Sequence, residues 1–339
     1  MPGIEYVVSR VRGWRGHLLG PRGVMDLVAQ PDLAARLELL RASGYGDALV
    51  GAATVREVGR ALFRVHAHDV LRTHRLLEGR RQRVFGALMA FRDVWNLKTI
   101  LRAVGRGQPA AGFHLLLVPT PELDVAALHE LARQGEVKAV LDLLTTWHSP
   151  YAAPLRDAFP AYRHSGATLP LELALDRFCF ARAVAETLRA GEDGAILLSF
   201  VRLQVDLVNA VTLLQLDEEA AAREAFLPDG LTLDARRFQR LAAMPAQERG
   251  HALARDPNLR LGPALVDGRV DPVRLGRYVQ ARLRAFLRRA ARLHPLSLAV
   301  PLHFLLEREE EVRRIRLVLE GTELGLPAEE LAELATREE

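Results

Sequence analysis

Cysteine is almost missing from this chain: Cys179 is the single example in 339 residues. That excludes a disulfide framework within the chain and a cysteine-cluster metal site. Aromatic residues make up only 6 %. Strands select aromatic and β-branched side chains, so a sequence dominated by Leu, Ala, Arg and Glu favours helices. Lysine is scarce too, Lys98 and Lys138 being the only two among 46 cationic residues. Long apolar runs are absent as well. The weakly polar stretches 195–201 and 295–306 fall short of the ~20 residues a membrane-crossing helix requires. The first thirty residues carry Arg10, Arg12, Arg15 and Arg22 but no apolar core of signal-peptide type. The expected location is the cytoplasm.

What is present is charge, unevenly spread. Residues 1–115 hold 18 basic against 9 acidic side chains, residues 116–226 hold 9 against 16, and residues 227–339 hold 19 against 17. A nucleic-acid binder concentrates cations into one stripe with aromatics between them. Here a basic third adjoins an acidic third and aromatics are few, which argues against nucleic acid. Opposite charges on separate faces suit docking to protein partners. Arg10, Arg12 and Arg15 form a compact cationic cluster just before Leu18 and Leu19. They are either a solvated helix face or a docking site for an acidic partner.

Helical spacing of apolar residues runs nearly end to end, as in Leu33, Leu37 and Leu40, or Val84, Leu88 and Phe91. Strand-like alternation is confined to 113–118. The pattern predicts an all-α chain of roughly fifteen helices. Within it a motif recurs. Asp93, Asn96, Leu97, Ile100 and Leu101 match Asp206, Asn209, Ala210, Leu213 and Leu214 in spacing, and then Glu311, Arg314, Ile315, Val318 and Leu319. An apolar residue precedes each acid by five positions (Leu88, Val201, Leu306) and another by nine (Val84, Leu197, Leu302). The interval is 113 residues from Asn96 to Asn209 and 105 from Asn209 to Arg314. That period is too long for a solenoid and fits three copies of one small helical domain, drawn as 1–115, 116–226 and 227–339. An acid and an amide at i, i+3 share a helix face. On a buried face they must find hydrogen-bond partners, either inside each domain, fixing helix register, or on a shared central surface. On the second reading Asn96, Asn209 and Arg314 join the three arginines as candidate partner-binding residues.

Catalytic signals are weak. His66 and His68 beside Asp69 resemble part of a metal phosphohydrolase site, but residues two apart on a helix face different ways. His129-Glu130 lacks the second histidine of a zinc-protease helix, and no Gly-rich phosphate loop is present. Cys179, between Phe178 and Phe180, reads as a packed small residue rather than a nucleophile. No catalytic, cofactor or metal residue is assigned.

The ordered set of motifs resembles the C subunit of prokaryotic V/A-type rotary ATPases, whose eukaryotic counterpart is the d subunit. Four features carry the resemblance: the opening from Tyr6 through Arg10, Arg12 and Arg15 to Leu19; the Asp93–Asn96–Leu97 helix; the Asp206–Asn209 helix; and the closing run from Pro295 through Glu307, Arg308 and Arg316 to Pro327. The third copy departs, with Arg314 where Asn is expected, and Ala210 replaces Leu in the second.

The resemblance implies three similar helical domains in a pseudo-threefold, funnel-shaped arrangement. It implies a non-catalytic central-stalk protein, with no cofactor, that serves as a socket. Its partners would be the central-shaft proteins of D and F type and the membrane rotor ring, to which it passes torque for proton or sodium transport. It would sit peripherally at the cytoplasmic face of the membrane and be monomeric in isolation. Two alternatives stand beside this: a helical scaffold or adaptor with no rotary role, and a helical enzyme using the His66–Asp69 neighbourhood.

Overall fold

The computed structural model describes residues 3–109, 117–215, 219–266 and 269–336. Among them the chain is all-α, with sixteen helices. The first four are α1 (Ile4–Arg15), α2 (Gly20–Val28), α3 (Leu33–Arg41) and α4 (Val55–Leu76). The long α5 (Gly79–Gly105) is followed by α6 (Val125–Ala132), α7 (Val137–Thr146), α8 (Ala152–Ser165) and α9 (Leu169–Leu188). A second long helix, α10 (Glu192–Gln215), leads to α11 (Glu219–Glu224), α12 (Ala235–Ala242), α13 (Ala246–Ala254) and α14 (Pro272–Leu293). The third, α15 (Ala299–Glu323), precedes α16 (Ala328–Thr336). The only strand pairing among the described residues is a two-residue antiparallel ladder, Leu265–Val266 against Arg269–Val270. The alternating stretch 113–118 lies mostly outside the described residues, and Leu117 and Val118 at its end are irregular.

Local chemistry sets many of the helix starts. Thr54 and Glu57 form a reciprocal capping box at α4. Asp32, Asp124 and Asp234 cap α3, α6 and α12 by accepting from the backbone N–H three residues on. Each cap stabilises its helix by ~1 kcal/mol, by satisfying a donor with no intrahelical partner.

Two compact units result. The first comprises the residues up to Glu78 together with those from Leu287 onward. Its core joins Leu27, Leu40, Leu49 and Leu62 from the chain's beginning to Ile315, Val318 and Leu331 from its end. Residues from the first and last thirds of the sequence share this core.

The second unit spans Gly79–Phe286. In its first half, Leu97, Ile100, Leu101 and Val104 of α5 pack with Leu128, Leu131, Val140, Leu144, Leu171 and Leu175. Lys98 bonds Asp176 and Arg102 bonds Glu172, a double rung between α5 and α9. In the second half α10 packs against α9, α12 and α13. With an 18-residue window of mean hydropathy 1.6, α10 is by length and composition apolar enough to cross a membrane. In this structure one face of it, Leu197, Val201, Val205 and Leu213, is core.

Candidate functional site

The long helices α5, α10 and α15 each place an acid against loop groups that flank short helices. On α5, Asp93 accepts hydrogen bonds from the hydroxyls of Thr120 and Tyr151, the latter at 2.8 Å. On α10, Asp206 accepts from the backbone N–H groups of Leu231, Thr232 and Leu233 at 2.8–3.0 Å. On α15, Glu311 accepts from the N–H groups of Leu19 at 3.1 Å and Gly20 at 2.7 Å, and from the Tyr45 hydroxyl at 2.6 Å. Gly230 has to be glycine for the second of these. A Cβ there would lie 2.4 Å from the Asp206 carboxylate.

One turn further along, the asparagines close the same loops. The Asn96 amide donates to the Val118 carbonyl at 2.7 Å and accepts from its N–H at 3.0 Å. Asn209 does the same to Leu227, at 2.8 and 2.9 Å. Both asparagines are fully buried, at 0 % exposure. This two-way backbone pairing is what only an amide side chain can provide, since it offers a donor and an acceptor in one plane. Of the two roles read from the sequence, the internal one is therefore the one their geometry serves. Neither amide reaches a surface where a partner could touch it. Arg314 does not copy the pairing; its Nε donates to Glu310 at 2.9 Å and it is 8 % exposed.

Burial governs the electrostatics of these positions. It raises the Asp93 carboxyl to about 7, against the pull of the Thr120 and Tyr151 hydroxyls. Asp206 is also raised by burial, although three backbone N–H groups oppose the shift. Burial first, then the charges of Asp176 and Asp93, pushes the Cys179 thiol well above its ordinary value. A thiol so placed is a poor nucleophile. On α4, His66 is buried and His68 exposed, on different faces as their spacing predicts. Asp69 is engaged by Arg308 at 2.9 Å and Arg72 at 2.6 Å. The histidine–aspartate neighbourhood is thus part of a buried ionic network rather than an open ligand set.

The three arginines of α1 have a different character. Val7, Val8 and Val11 of that helix are buried while Arg10, Arg12 and Arg15 are exposed, Arg10 and Arg12 flanking the valine face on opposite sides. Arg15 pairs with Glu307 at 2.6 Å with half its side chain open to solvent. Arg12 makes one long bond, 3.4 Å, to the Pro295 carbonyl. Arg10 lies 5.8 Å from the centre of the Trp14 ring, whose face carries the Arg72 guanidinium at 3.6 Å. These are solvated cations on a firmly anchored helix.

The chain matches the family model of the ATP synthase (C/AC39) subunit over residues 7–334. It belongs to that family. It is 26 % identical over 337 residues to the C subunit of the A-type ATP synthase of Halorubrum lacusprofundi, covering 96 % of this chain and 95 % of that one. It is likewise 26 % identical to the A-type C subunit of Thermococcus onnurineus, covering 97 % of this chain and 89 % of that one. With the C subunit of the V-type ATP synthase of Deinococcus radiodurans it shares 25 % identity, covering 96 % and 89 %.

In this C/AC39 family member the sequence reading missed both tyrosines that bond the acids. A signal for them exists. Ser43 and Tyr45 stand two apart, as do Ser149 and Tyr151, with 106 residues between the pairs. In each pair the serine hydroxyl accepts from the tyrosine N–H, at 3.2 and 3.4 Å. In the second half of unit two Asp256 accepts from the Asn258 N–H at 2.8 Å. The same turn thus follows each pair of short helices, α2–α3, α6–α7 and α12–α13.

Proposed function

We propose that this chain is the non-catalytic central-stalk component of a V/A-type rotary ATPase. It acts as the socket between the central shaft, built of D-type and F-type proteins, and the membrane rotor ring. The end-to-end likeness to A-type and V-type C subunits carries the reading. A socket that transmits torque must be stiff, and the structure supports that property. Each long helix is clamped to its neighbouring loop by buried, fully engaged polar groups. It must also dock without chemistry, and the exposed arginines of α1 offer a surface for acidic partners. The chain would work peripherally at the cytoplasmic face, its ion specificity set by the ring.

The same reading includes a triplicated origin, rephased from consecutive thirds. The long helix opens each copy: α5 with α6–α9, α10 with α11–α14, and α15 with α16 and then α1–α4 from the other end of the chain. The recurrent acid clamps and Ser/Asp turns support this phasing.

Co-purification tests the function. The tagged chain mixed with shaft and ring proteins at physiological salt is expected to retain both. Retention of neither would return the chain to the class of helical scaffolds without a rotary role.

A further inference from the structure

In unit one, a cavity of about 320 Å³ opens beside α1 and the start of α15. Its walls include Arg12, Arg15, Arg288, Arg292, His303 and Phe304. Four guanidinium groups converge on a volume near the lower end of small-ligand pockets. The nearest carboxylate, Glu307, is matched to Arg15 at 2.6 Å. Among the described residues no carboxylate pairs with Arg12, Arg288 or Arg292. Arg12, Arg288 and Arg292, none of them in an ion pair within 4 Å, therefore border one pocket, with the Glu307 charge also acting on Arg288.

The back wall registers this field. Burial first, then the charges of Arg15, Arg288 and Arg292, hold the His303 imidazole down at about 4. It is neutral at physiological pH and can donate or accept a hydrogen bond without adding charge. The ring of Phe304, 6.3 Å from that of Trp14, gives the cavity an apolar side. Leu293, at the end of α14, and Leu296, in the connection to α15, are 63 % and 52 % exposed.

We propose that this cavity binds a small phosphorylated anion, its phosphate held by Arg12, Arg288 and Arg292 against His303. Guanidinium is the side chain best matched to phosphate, with paired donors and a charge that does not titrate away. Three unmatched cations favour a dianion over a single carboxylate. Two sources carry that chemistry: a free phosphate ester, and a phospholipid headgroup whose tails the exposed leucines would meet.

The test uses the whole chain at about 0.15 M salt, where purely diffuse attraction is screened. Calorimetric titration with sn-glycerol 3-phosphate is expected to give saturable one-site binding. The double variant Arg288→Gln/Arg292→Gln should weaken it by ~10-fold or more, with the thermal midpoint unchanged, because both side chains are exposed and unpaired. Arg12→Gln, alone, should weaken it in the same direction. Flotation with phosphatidylcholine vesicles, with and without phosphatidic acid, identifies the source. Binding to the acidic vesicles, lost in the double variant, assigns the headgroup; binding of the soluble ester alone assigns the free ester. No saturable binding of either probe overturns the proposal. So does equal affinity for acetate, or an affinity the double variant leaves unchanged. Arg288 and Arg292 play no part in the stalk assignment, so that assignment stands or falls separately.

Discussion

The Tyr45 hydroxyl donates to Glu311 across 2.6 Å, although 266 residues separate the two in sequence. Tyr151 donates to Asp93 at 2.8 Å over a separation of only 58 residues. The two contacts are chemically alike, a buried phenol on a buried acid from a long helix. They differ in that the first ties the beginning of the chain to its end. Burial, with the facing carboxylate adding to it, pushes both phenols far above their ordinary range, so both remain donors at any physiological pH.

Removing an asparagine clamp should cost stability rather than partner affinity. Asn96→Leu leaves the buried N–H and C=O of Val118 unpaired. The expected loss is roughly 2–6 kcal/mol, since each of the two orphaned groups costs about 1–3. Asn209→Leu should behave alike through Leu227. Chemical denaturation of the two variants checks this, and an unchanged midpoint for both would return these residues to a surface role.

Asp93 gives the fold a definite pH signature. Its carboxyl is raised from an ordinary 3.8 to about 7, so the folded chain holds a proton that the unfolded chain releases. Its contribution to stability is full below about pH 4 and is lost as pH rises through about 7. Asp93→Asn removes that dependence. The thermal midpoint of the variant should gain on that of the natural protein as pH increases from about 4 to about 8, and a constant difference would contradict the assignment.

Gly230→Ala tests the loop clamp on α10. The added Cβ would meet Asp206 at 2.4 Å, so the loop must withdraw and its three N–H bonds to the carboxylate must lengthen. A loss of about 1–3 kcal/mol is expected, in the range of other overpacked sites. Hydrogen exchange at Leu231–Leu233 should accelerate in the variant.

The helices and the repeat were legible in the sequence because both are periodic. Apolar spacing marks α3, α5 and α15 directly, and the Asp–Asn pairs stand out as polar residues on apolar faces. What the polar pairs bond to was not legible. Val118 and Leu227 are bound through backbone atoms, which carry no residue-type signal. The pairing of α15 with α2 and α3 was hidden for another reason: a linear repeat suggests consecutive domains, whereas the last long helix is completed by residues from the other terminus. The Ser43–Tyr45 and Ser149–Tyr151 turns carried a signal for the tyrosine contacts, since the second pair repeats the spacing of the first.

Charge reversal on α1 separates docking from folding. Arg10→Glu/Arg12→Glu/Arg15→Glu removes exposed cations and one half-exposed ion pair. Such a pair is worth about 0–1 kcal/mol, so the thermal midpoint should move by no more than about 4 °C. Association with shaft or ring proteins should fall sharply. A variant that melts early while still assembling would make these arginines structural.

Coupled transport in a reconstituted rotary complex bears most directly on the role assigned to this chain. Membranes carrying the ring and stator, supplied with the nucleotide-binding head and shaft but without this chain, should hydrolyse ATP without building an ion gradient. Adding the purified chain should restore the gradient in proportion to its incorporation. Full ion pumping in its absence, or no recovery after stoichiometric incorporation, would contradict the assignment.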